Sequence, residues 1–113
     1  MQGQEFQIKI EKLADEIDGC SCAFFSGYDG IIIFKDQKQP CSIDPDFAAA
    51  NFVSVIKNLT SKENELSEIM VSFSKSIVAI HVMEDGFIGL ILSQDANVGR
   101  AKLELRKFGR RFM

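Results

Sequence analysis

Cysteine and histidine are the residues of this chain best suited to metal binding or nucleophilic chemistry. Cys20, Cys22, Cys41 and the only histidine, His81, would together offer four ligands that zinc accepts. Cys20 and Cys22 are two positions apart, which places both thiols on the same side if this segment is a strand. However, the Cys-x-x-Cys spacing of common zinc sites is absent. We therefore predict free thiols that pack as small apolar side chains, and no metal site.

Acidic, glycine-containing loops occur twice, in "GYDGIIIFKD" and in "EDGFIGLIL". A calcium loop needs alternating oxygen ligands and a glutamate at its twelfth position, and neither stretch has them. Asp-Gly between two apolar runs is instead a strong signal for a two-residue hairpin turn of type I′, which needs positive φ at both central positions. We therefore predict hairpin corners at Asp29-Gly30 and at Asp85-Gly86.

Established enzyme motifs are absent from the sequence. It contains no Gly-x-x-x-x-Gly-Lys-Ser/Thr, no Gly-x-Gly-x-x-Gly and no His-Glu-x-x-His. His81 stands among apolar neighbours in mid-strand, as structural or interface histidines do. Asp44 and Asp46 form a candidate carboxylate pair, but they fall where a helix begins and where acidic residues cap and complement the helix dipole. The chain is predicted to have no catalytic residue and no cofactor, and not to be an enzyme.

The charge of the chain is unevenly distributed. The net charge is −3, yet residues 100–113 hold six Arg or Lys and one Glu, which leaves −8 on the remainder. Such a basic segment can contact nucleic acid or anionic lipid. The plainer interpretation is a closing helix whose cations favour its own C-terminal dipole. On an acidic body, without an interleaved aromatic platform, the segment is a poor nucleic-acid surface, so no nucleic-acid partner is predicted.

Length and composition indicate one folded domain. The chain has 113 residues, of which 46% are hydrophobic, including ten Phe, and this is enough for a core. Its longest apolar runs are too short to span a bilayer. The first residues lack a basic region followed by an apolar one, so no signal peptide is expected. We expect a soluble, cytoplasmic protein.

Three segments have the apolar periodicity of helices. They are residues 4–18, which precede Gly19, a segment from Asp44 to about residue 59, and a segment that begins near Asn97. The apolar positions of the last helix are Val98, Ala101, Leu105, Phe108 and Phe112. The second helix is apolar over an arc wider than the ~100° that one sheet covers, so we expect it to have a second partner.

Five strands are predicted, at residues 20–27, 31–35, 67–73, 76–83 and 87–92. The last two are apolar on both faces, which indicates a sheet covered on both sides. In 67–73, Ile69, Val71 and Phe73 face one way and Glu68, Met70 and Ser72 the other, a mixed pattern that suits an edge strand. The order α-β-β-α-β-β-β-α therefore predicts an α/β (α+β) three-layer sandwich around a mostly antiparallel five-stranded sheet.

Three stretches of sequence carry a resemblance to a known family. "LADEIDGCSCAFFSGYDGIII", "DPDFAAANFVSVI" and "NVGRAKLELRKF", in this order and spacing, resemble the Roadblock/dynein light chain family, which includes MglB-type regulators of small Ras-like GTPases. The resemblance covers nearly the whole chain, so residues 1–113 are expected to form a single Roadblock-like domain. It implies that the second helix lies on one face of the sheet and the first and last helices on the other.

The resemblance also implies a function. Family members are homodimers in which the second helices pack together and the third strands join into one continuous sheet. This would explain the wide apolar arc of the second helix and the edge-like third strand. Interface residues are then expected among Phe52, Val53, Ile56, Ile69 and Val71. The implied role is a non-enzymatic scaffold or regulator that binds a small Ras-like GTPase. Three alternatives remain, namely a small-molecule-sensing module, a motor-complex light chain and an enzyme using the Cys20/Cys22 pair.

Overall fold

The structure is a computed structural model and describes residues 3–111. Its elements follow the predicted order: α1 (Gly3–Glu16), β1 (Cys20–Ser26), β2 (Ile32–Gln37), α2 (Pro45–Leu59), β3 (Glu68–Ser72), β4 (Ser76–Val82), β5 (Phe87–Ser93) and α3 (Val98–Arg111). Helix α1 ends two residues earlier than predicted, and Gly19 follows it in the left-handed region with φ 87°. Phe112, predicted for the apolar face of α3, lies outside the described residues.

The five strands form one antiparallel sheet in the order β2-β1-β5-β4-β3. The two strands that are apolar on both faces, β4 and β5, lie inside the sheet, where helices cover both sides. β3, predicted from its mixed pattern to be an edge strand, is one edge, and β2 is the other. The predicted three-layer sandwich is therefore confirmed.

Two separate hydrophobic clusters lie on the two faces of the sheet. The α1/α3 face is filled by side chains from these two helices and from β1, β4 and β5, among them Phe6, Ile10, Leu13, Phe25, Ile88, Leu90, Leu105 and Phe108. The α2 face is filled by side chains from α2, β1, β4 and β5, among them Phe24, Ala49, Phe52, Val53, Ile56, Val78, Ile80 and Phe87. The placement of α2 opposite α1 and α3 is thus as the resemblance implied.

A β-bulge separates the two neighbouring thiols. The pairing of β1 with β5 shifts register between Cys20 and Cys22. Cys20 consequently packs in the α1/α3 cluster and Cys22 in the α2 cluster. The expectation that both thiols share one side is wrong, because a bulge adds one residue to the strand and reverses the alternation beyond it.

The two Asp-Gly pairs lie at hairpin corners, but the first corner is not the two-residue turn predicted. The Gly30 N–H donates to the Gly27 carbonyl at 3.1 Å, and the Gly27 N–H donates to the Ile31 carbonyl at 3.2 Å. These bonds enclose a three-residue loop. Among the described residues only glycines have positive φ, and Asp29 is therefore excluded from a type I′ turn, whereas Gly30 has φ 81°. Asp29 instead accepts a hydrogen bond from the Ile31 N–H at 3.0 Å.

The second corner connects β4 to β5. The Met83 N–H donates to the Gly86 carbonyl at 2.8 Å, so the tip of this turn is Glu84-Asp85 and not the predicted Asp85-Gly86. Neither Asp85 nor Gly86 has positive φ, so the predicted type I′ turn is wrong at this corner as well. The Tyr28 hydroxyl donates to the Gly86 carbonyl at 3.0 Å and ties the two corners together at one end of the sheet. Within residues 3–111, no helix is long and apolar enough to cross a membrane.

Candidate protein-interaction surface

Helix α2 begins and ends at residues suited to those positions. The Asp44 side chain caps it by accepting a hydrogen bond from the Asp46 N–H at 3.1 Å, and Pro45 takes a first-turn position that needs no N–H donor. At the other end, the Thr60 N–H donates to the Ile56 carbonyl at 3.0 Å. The helix is therefore defined at both ends by local hydrogen bonds, which fix the direction in which its side chains project.

Three of the five predicted interface residues lie on the inner side of α2, which faces the sheet. Phe52, Val53 and Ile56 are only 8%, 7% and 4% exposed, because they pack on the chain's own sheet. Ile69 and Val71, on β3, are half-buried and pack against the same cluster. The structure thus brings all five residues together on the α2 face, with the β3 pair nearer to solvent.

The apolar arc of α2 continues onto its solvent side, as the sequence indicated. Phe47 is 63% exposed, Leu59 60% and Val55 37%. Val55 and Leu59 are four positions apart and therefore neighbours on the helix surface. None of these three residues is among those expected at the interface, because the apolar pattern alone does not say which part of a wide apolar arc the sheet covers.

Strand β3 is an edge of the sheet, and its outward backbone groups pair with no other strand of the described residues. The Phe73 N–H donates to the Ser76 carbonyl at 2.7 Å, and the Val82 N–H donates to the Ser67 carbonyl at 2.8 Å. Antiparallel pairs alternate between hydrogen-bonded and non-hydrogen-bonded positions, so the N–H and C=O of Met70, which is opposite Ala79, point away from β4. Such an edge is a template for pairing with another strand.

The edge strand is tied to α3 by an ion pair. The Arg106 guanidinium donates two hydrogen bonds to the Glu68 carboxylate, at 2.5 and 3.1 Å, and lowers the pKa of this carboxyl below its usual value. Glu68 lies opposite His81 on the neighbouring strand. This ion pair therefore connects the first residue of β3 to helix α3.

His81 has the surroundings of a structural residue. Burial lowers the pKa of its imidazole, although the nearby Glu68 carboxylate opposes this effect. Its Nδ1 is buried and has no hydrogen-bond partner among the described residues. Gly109 of α3 lies so close that a Cβ at that position would overlap the imidazole ring. The ring is therefore a packing surface between β4 and α3.

The thiols are not arranged for chemistry. Burial raises the pKa values of Cys20 and Cys22 to about 12, which leaves almost no reactive thiolate at neutral pH. Cys41 is half-buried on the α2 side, and burial raises its pKa as well. In the part of the chain that the structure describes, no group of three or more His, Cys, Asp or Glu residues is placed to hold a metal ion.

An open groove of about 980 Å³ lies beside the C-terminal half of α2. Its walls come from α2, from the segment that leads to β3, and from the β4–β5 corner. The apolar part of its lining is formed by Tyr28, Ile56, Leu66, Val82 and Met83. Its size falls in the range of small-molecule sites.

Comparison with solved structures identifies the fold. Myxococcus xanthus MglB is similar with a TM-score of 0.83 and 13% identity, over 98% of this chain and 86% of that one. M. xanthus MglC is similar with a TM-score of 0.70 and 24% identity, over 94% of each chain. A Roadblock/LC7 domain from Streptomyces avermitilis is similar with a TM-score of 0.77 and 10% identity, over 93% and 92%. In sequence comparisons, no protein-family model and no curated protein matches the chain. The chain has the Roadblock fold, as its sequence motifs indicated.

Proposed function

We propose that this Roadblock-fold chain is a non-enzymatic homodimeric scaffold or regulator, which binds a small Ras-like GTPase and modulates its hydrolysis or its localisation. The observation that carries the proposal is the combination of an apolar outer side on α2 with an unpaired edge strand, β3. The similarity in fold to MglB and MglC, together with the sequence resemblance to Ras-like GTPase regulators, supports it.

A two-fold dimer would use both features at once. Antiparallel pairing of β3 with the β3 of a second copy satisfies the outward backbone groups and makes one continuous sheet, whose edges are then the β2 strands of the two copies. The same symmetry brings the two α2 helices together on one face, where Val55 and Leu59 would be covered. Ile69 and Val71 would lose their remaining exposure. Phe52, Val53 and Ile56 would form the layer beneath the contact.

Proline substitution at the edge tests the strand pairing. Met70→Pro removes an N–H that points away from β4, so it leaves the ladder within the chain intact and blocks a partner strand. The matched control is Lys35→Pro on the other edge. Lys38 N–H donates to the Ser21 carbonyl at 2.8 Å, and by the same alternation the Lys35 N–H points outward.

Sedimentation velocity at micromolar concentration measures the outcome. We expect the unmodified chain and Lys35→Pro to sediment as dimers, and Met70→Pro to dissociate with a Kd raised about tenfold or more. An unmodified chain that sediments as a monomer would contradict the dimer, and a Met70→Pro variant that stays dimeric would contradict the use of β3.

Charged substitutions on α2 test the helix contact. Val55→Glu with Leu59→Glu places two carboxylates in the proposed contact, where they cannot be paired. Ile31→Glu with Ile33→Glu is the matched control, because these residues are 63% and 57% exposed at the opposite edge of the sheet. We expect the first variant to be monomeric and the second to remain dimeric, both with unchanged far-UV circular dichroism. Equal sedimentation of the two would remove α2 from the interface.

A GTPase assay tests the partner. The purified chain is titrated into a small Ras-like GTPase of the same source, and GTP hydrolysis and complex formation are measured with GTP and with GDP bound. We expect nucleotide-dependent binding of the dimer. A dimer that neither binds such GTPases nor changes their hydrolysis would contradict the regulatory part of the proposal.

The groove beside α2 supports a second candidate, a small-molecule-sensing module. Its volume of about 980 Å³ and its apolar lining would suit an organic ligand. A metabolite library screened by thermal shift tests this, with Leu66→Glu as the variant that should abolish any shift. If no compound raises the melting temperature, sensing through this groove is excluded.

A further inference from the structure

Helix α3 has a strongly basic face that no other element within residues 3–111 covers. Its inner side is formed by Ala101, Leu105, Phe108 and Gly109, all of which are buried against the sheet. At 1.5 Å per residue the 14 residues of α3 make a rod about 21 Å long. The exposed side chains along its outer side are Arg100, Lys102, Leu103, Arg106, Lys107 and Arg110.

The positive charge of this face exceeds what the chain itself neutralises. Glu104 is the one acidic residue of α3, and it pairs with Arg100 at 3.2 Å and with Lys107 at 3.6 Å. Arg106 pairs with Glu68. In residues 3–111, Lys102 and Arg110 have no carboxylate within salt-bridge distance.

Helix α1 extends the basic area. A groove of about 310 Å³ between α1 and α3 is lined by Lys9 and Lys12 from one helix and by Arg100 and Lys107 from the other. Glu16 and Glu104 are the two acidic residues of this lining. The basic face, defined here as the exposed cations of α3 with Lys9 and Lys12, therefore spans two helices of the same layer.

We propose that this basic face docks on the surface of an anionic phospholipid membrane. Seven Lys and Arg side chains on one side of a small domain match the cluster size that binds anionic lipid headgroups. Leu103, 48% exposed, lies among the α3 cations, where it can contact the interfacial region while the long basic side chains reach the headgroups.

The same features disfavour nucleic acid as the occupant. The exposed side of α3 carries no aromatic residue among those described, so unpaired bases have no platform on which to stack. The rest of the chain is acidic, with a charge of −8 outside residues 100–113, and a duplex that follows the surface beyond α3 would meet this charge. A flat membrane contacts the basic face alone.

The dimer put forward above would strengthen the contact, and this step rests on that proposed function. A two-fold axis perpendicular to a continuous sheet keeps both α2 helices on one side. It therefore puts both α1/α3 layers on the other side, and the two basic faces point in the same direction. Two faces on one rigid body bind a single surface with avidity beyond that of either alone.

Co-sedimentation with vesicles tests the proposal. The full chain is mixed with vesicles of phosphatidylcholine alone or of phosphatidylcholine with phosphatidylserine, in low and in high salt. We expect binding only to the serine-containing vesicles and its loss in high salt, because salt screens contacts between exposed charges. Equal binding to both vesicle types, or no binding to either, would overturn the proposal.

A pair of charge-reversal variants locates the contact. Lys102→Glu with Arg110→Glu alters cations that form no ion pair with any described residue, and we expect a loss of vesicle binding of about tenfold or more. Lys35→Glu with Lys62→Glu makes the same change in net charge away from α3, at two exposed lysines, and should change binding less than about twofold. Equal losses in both variants would show a response to net charge alone and would overturn the assignment to α3.

The oligomeric state is measured on the same samples without vesicles. A monomer that binds anionic vesicles supports the membrane contact and contradicts the dimer. A dimer that does not bind them overturns the membrane contact and leaves the dimer standing. Tighter binding to duplex DNA than to anionic vesicles would also overturn the choice of occupant.

Discussion

The two faces of the sheet are covered by different numbers of helices. Helices α1 and α3 lie side by side on one face, whereas α2 lies alone on the other. Five strands about 4.8 Å apart make a sheet roughly 20 Å wide, and a helix with its side chains is about 10 Å across. Two helices therefore span the α1/α3 face, and one helix leaves the flanks of the α2 face uncovered.

The exposed surfaces of the two layers differ accordingly. On the α1/α3 layer the outer side of α3 is basic, with Leu103 as its one large exposed apolar residue. On α2 the outer side carries Phe47, Val55 and Leu59, and the edge strand β3 turns Ile69 and Val71 toward the same face of the sheet. This difference shows that the layer of α1 and α3 is suited to contacts through charge. The layer of α2, which covers its face only in part, still has apolar area to bury.

The largest effect is expected from a substitution in the core between α2 and the sheet. It tests whether this face is closely packed even though a single helix covers it. Phe87 is completely buried there, with its ring centroid 6.3 Å from those of Phe24 and Tyr28. We expect Phe87→Ala to lower the free energy of unfolding by about 3–5 kcal/mol, measured by urea denaturation. Ile31→Ala, at an exposed position outside the proposed dimer contact, should change it by less than about 0.5 kcal/mol. A loss below about 1 kcal/mol for Phe87→Ala would show that this face is loosely packed.

The next effect tests how tightly α3 closes the opposite face. In Gly109→Ala the new Cβ would overlap the His81 imidazole, so we expect α3 to be displaced and stability to fall by about 1–3 kcal/mol. Gly99→Ala is the control within the same helix, because its Cβ would meet only the Asn97 Oδ1, at 3.5 Å. That variant should be neutral or more stable by up to about 1 kcal/mol, since Ala favours a helix over Gly. Similar melting temperatures for the two variants would contradict close packing at His81.

A smaller effect tests how far α2, the single helix of its face, depends on its cap. Asp44→Ala leaves the Asp46 N–H without its side-chain acceptor and should cost about 1 kcal/mol in thermal or urea unfolding. Asp44→Ser keeps an acceptor at this position and should retain most of the stability. If Ser and Ala destabilise the chain equally, the carboxylate acts through charge and not as a cap.

The smallest expected effect is a loss of folding stability at low pH. It should arise where β3, β4 and α3 meet. Burial lowers the pKa of His81 below its ordinary 6.5, so its contribution to stability is complete above that pH and is lost as the pH falls through the folded-state pKa. Arg106 lowers the pKa of Glu68 below 4.5. The contribution of Glu68 to stability is therefore complete above pH 4.5 and is lost as the pH falls through its lower folded-state pKa.

Urea unfolding at pH 7, 5.5 and 4 measures this dependence. We expect stability to decrease at each step, and His81→Gln to flatten the change between pH 7 and 5.5. Glu68→Gln should flatten the change only at the most acidic step. Stability that rises on acidification between pH 7 and 5.5 would contradict a lowered pKa for His81.

Much of this fold was accessible from sequence because its signals are local. Helix α2 was found from the Asp44-Pro45 start and the apolar spacing after it, and β3 was recognised as an edge by its mixed faces. The bulge at Ser21 and the three-residue loop around Asp29 were missed. Both depend on how β1 registers with its neighbouring strands, which no local pattern specifies.

For the candidate interface, too, one part could be predicted from the sequence and another part needed the structure. The width of the apolar arc on α2 was visible in the sequence, whereas the assignment of Phe52, Val53 and Ile56 to its inner side needed the position of the helix on the sheet. Val55 and Leu59 are apolar like their neighbours, so only their exposure distinguishes them as candidates for the proposed contact. The packing of Gly109 against His81 joins residues far apart in the chain and left no sequence signal.

By itself, the sequence determined the order of the elements, the edge character of β3, the excess apolar arc of α2 and the basic charge of α3. Each of these follows from residue types spaced a few positions apart, since periodicity and capping act over one or two turns of backbone. The tertiary structure alone decided that the thiols separate to opposite faces and which side of α2 remains in solvent. It also decided that the lysines of α1 lie beside the basic residues of α3. All of these outcomes depend on strand register and on packing between elements distant in the chain.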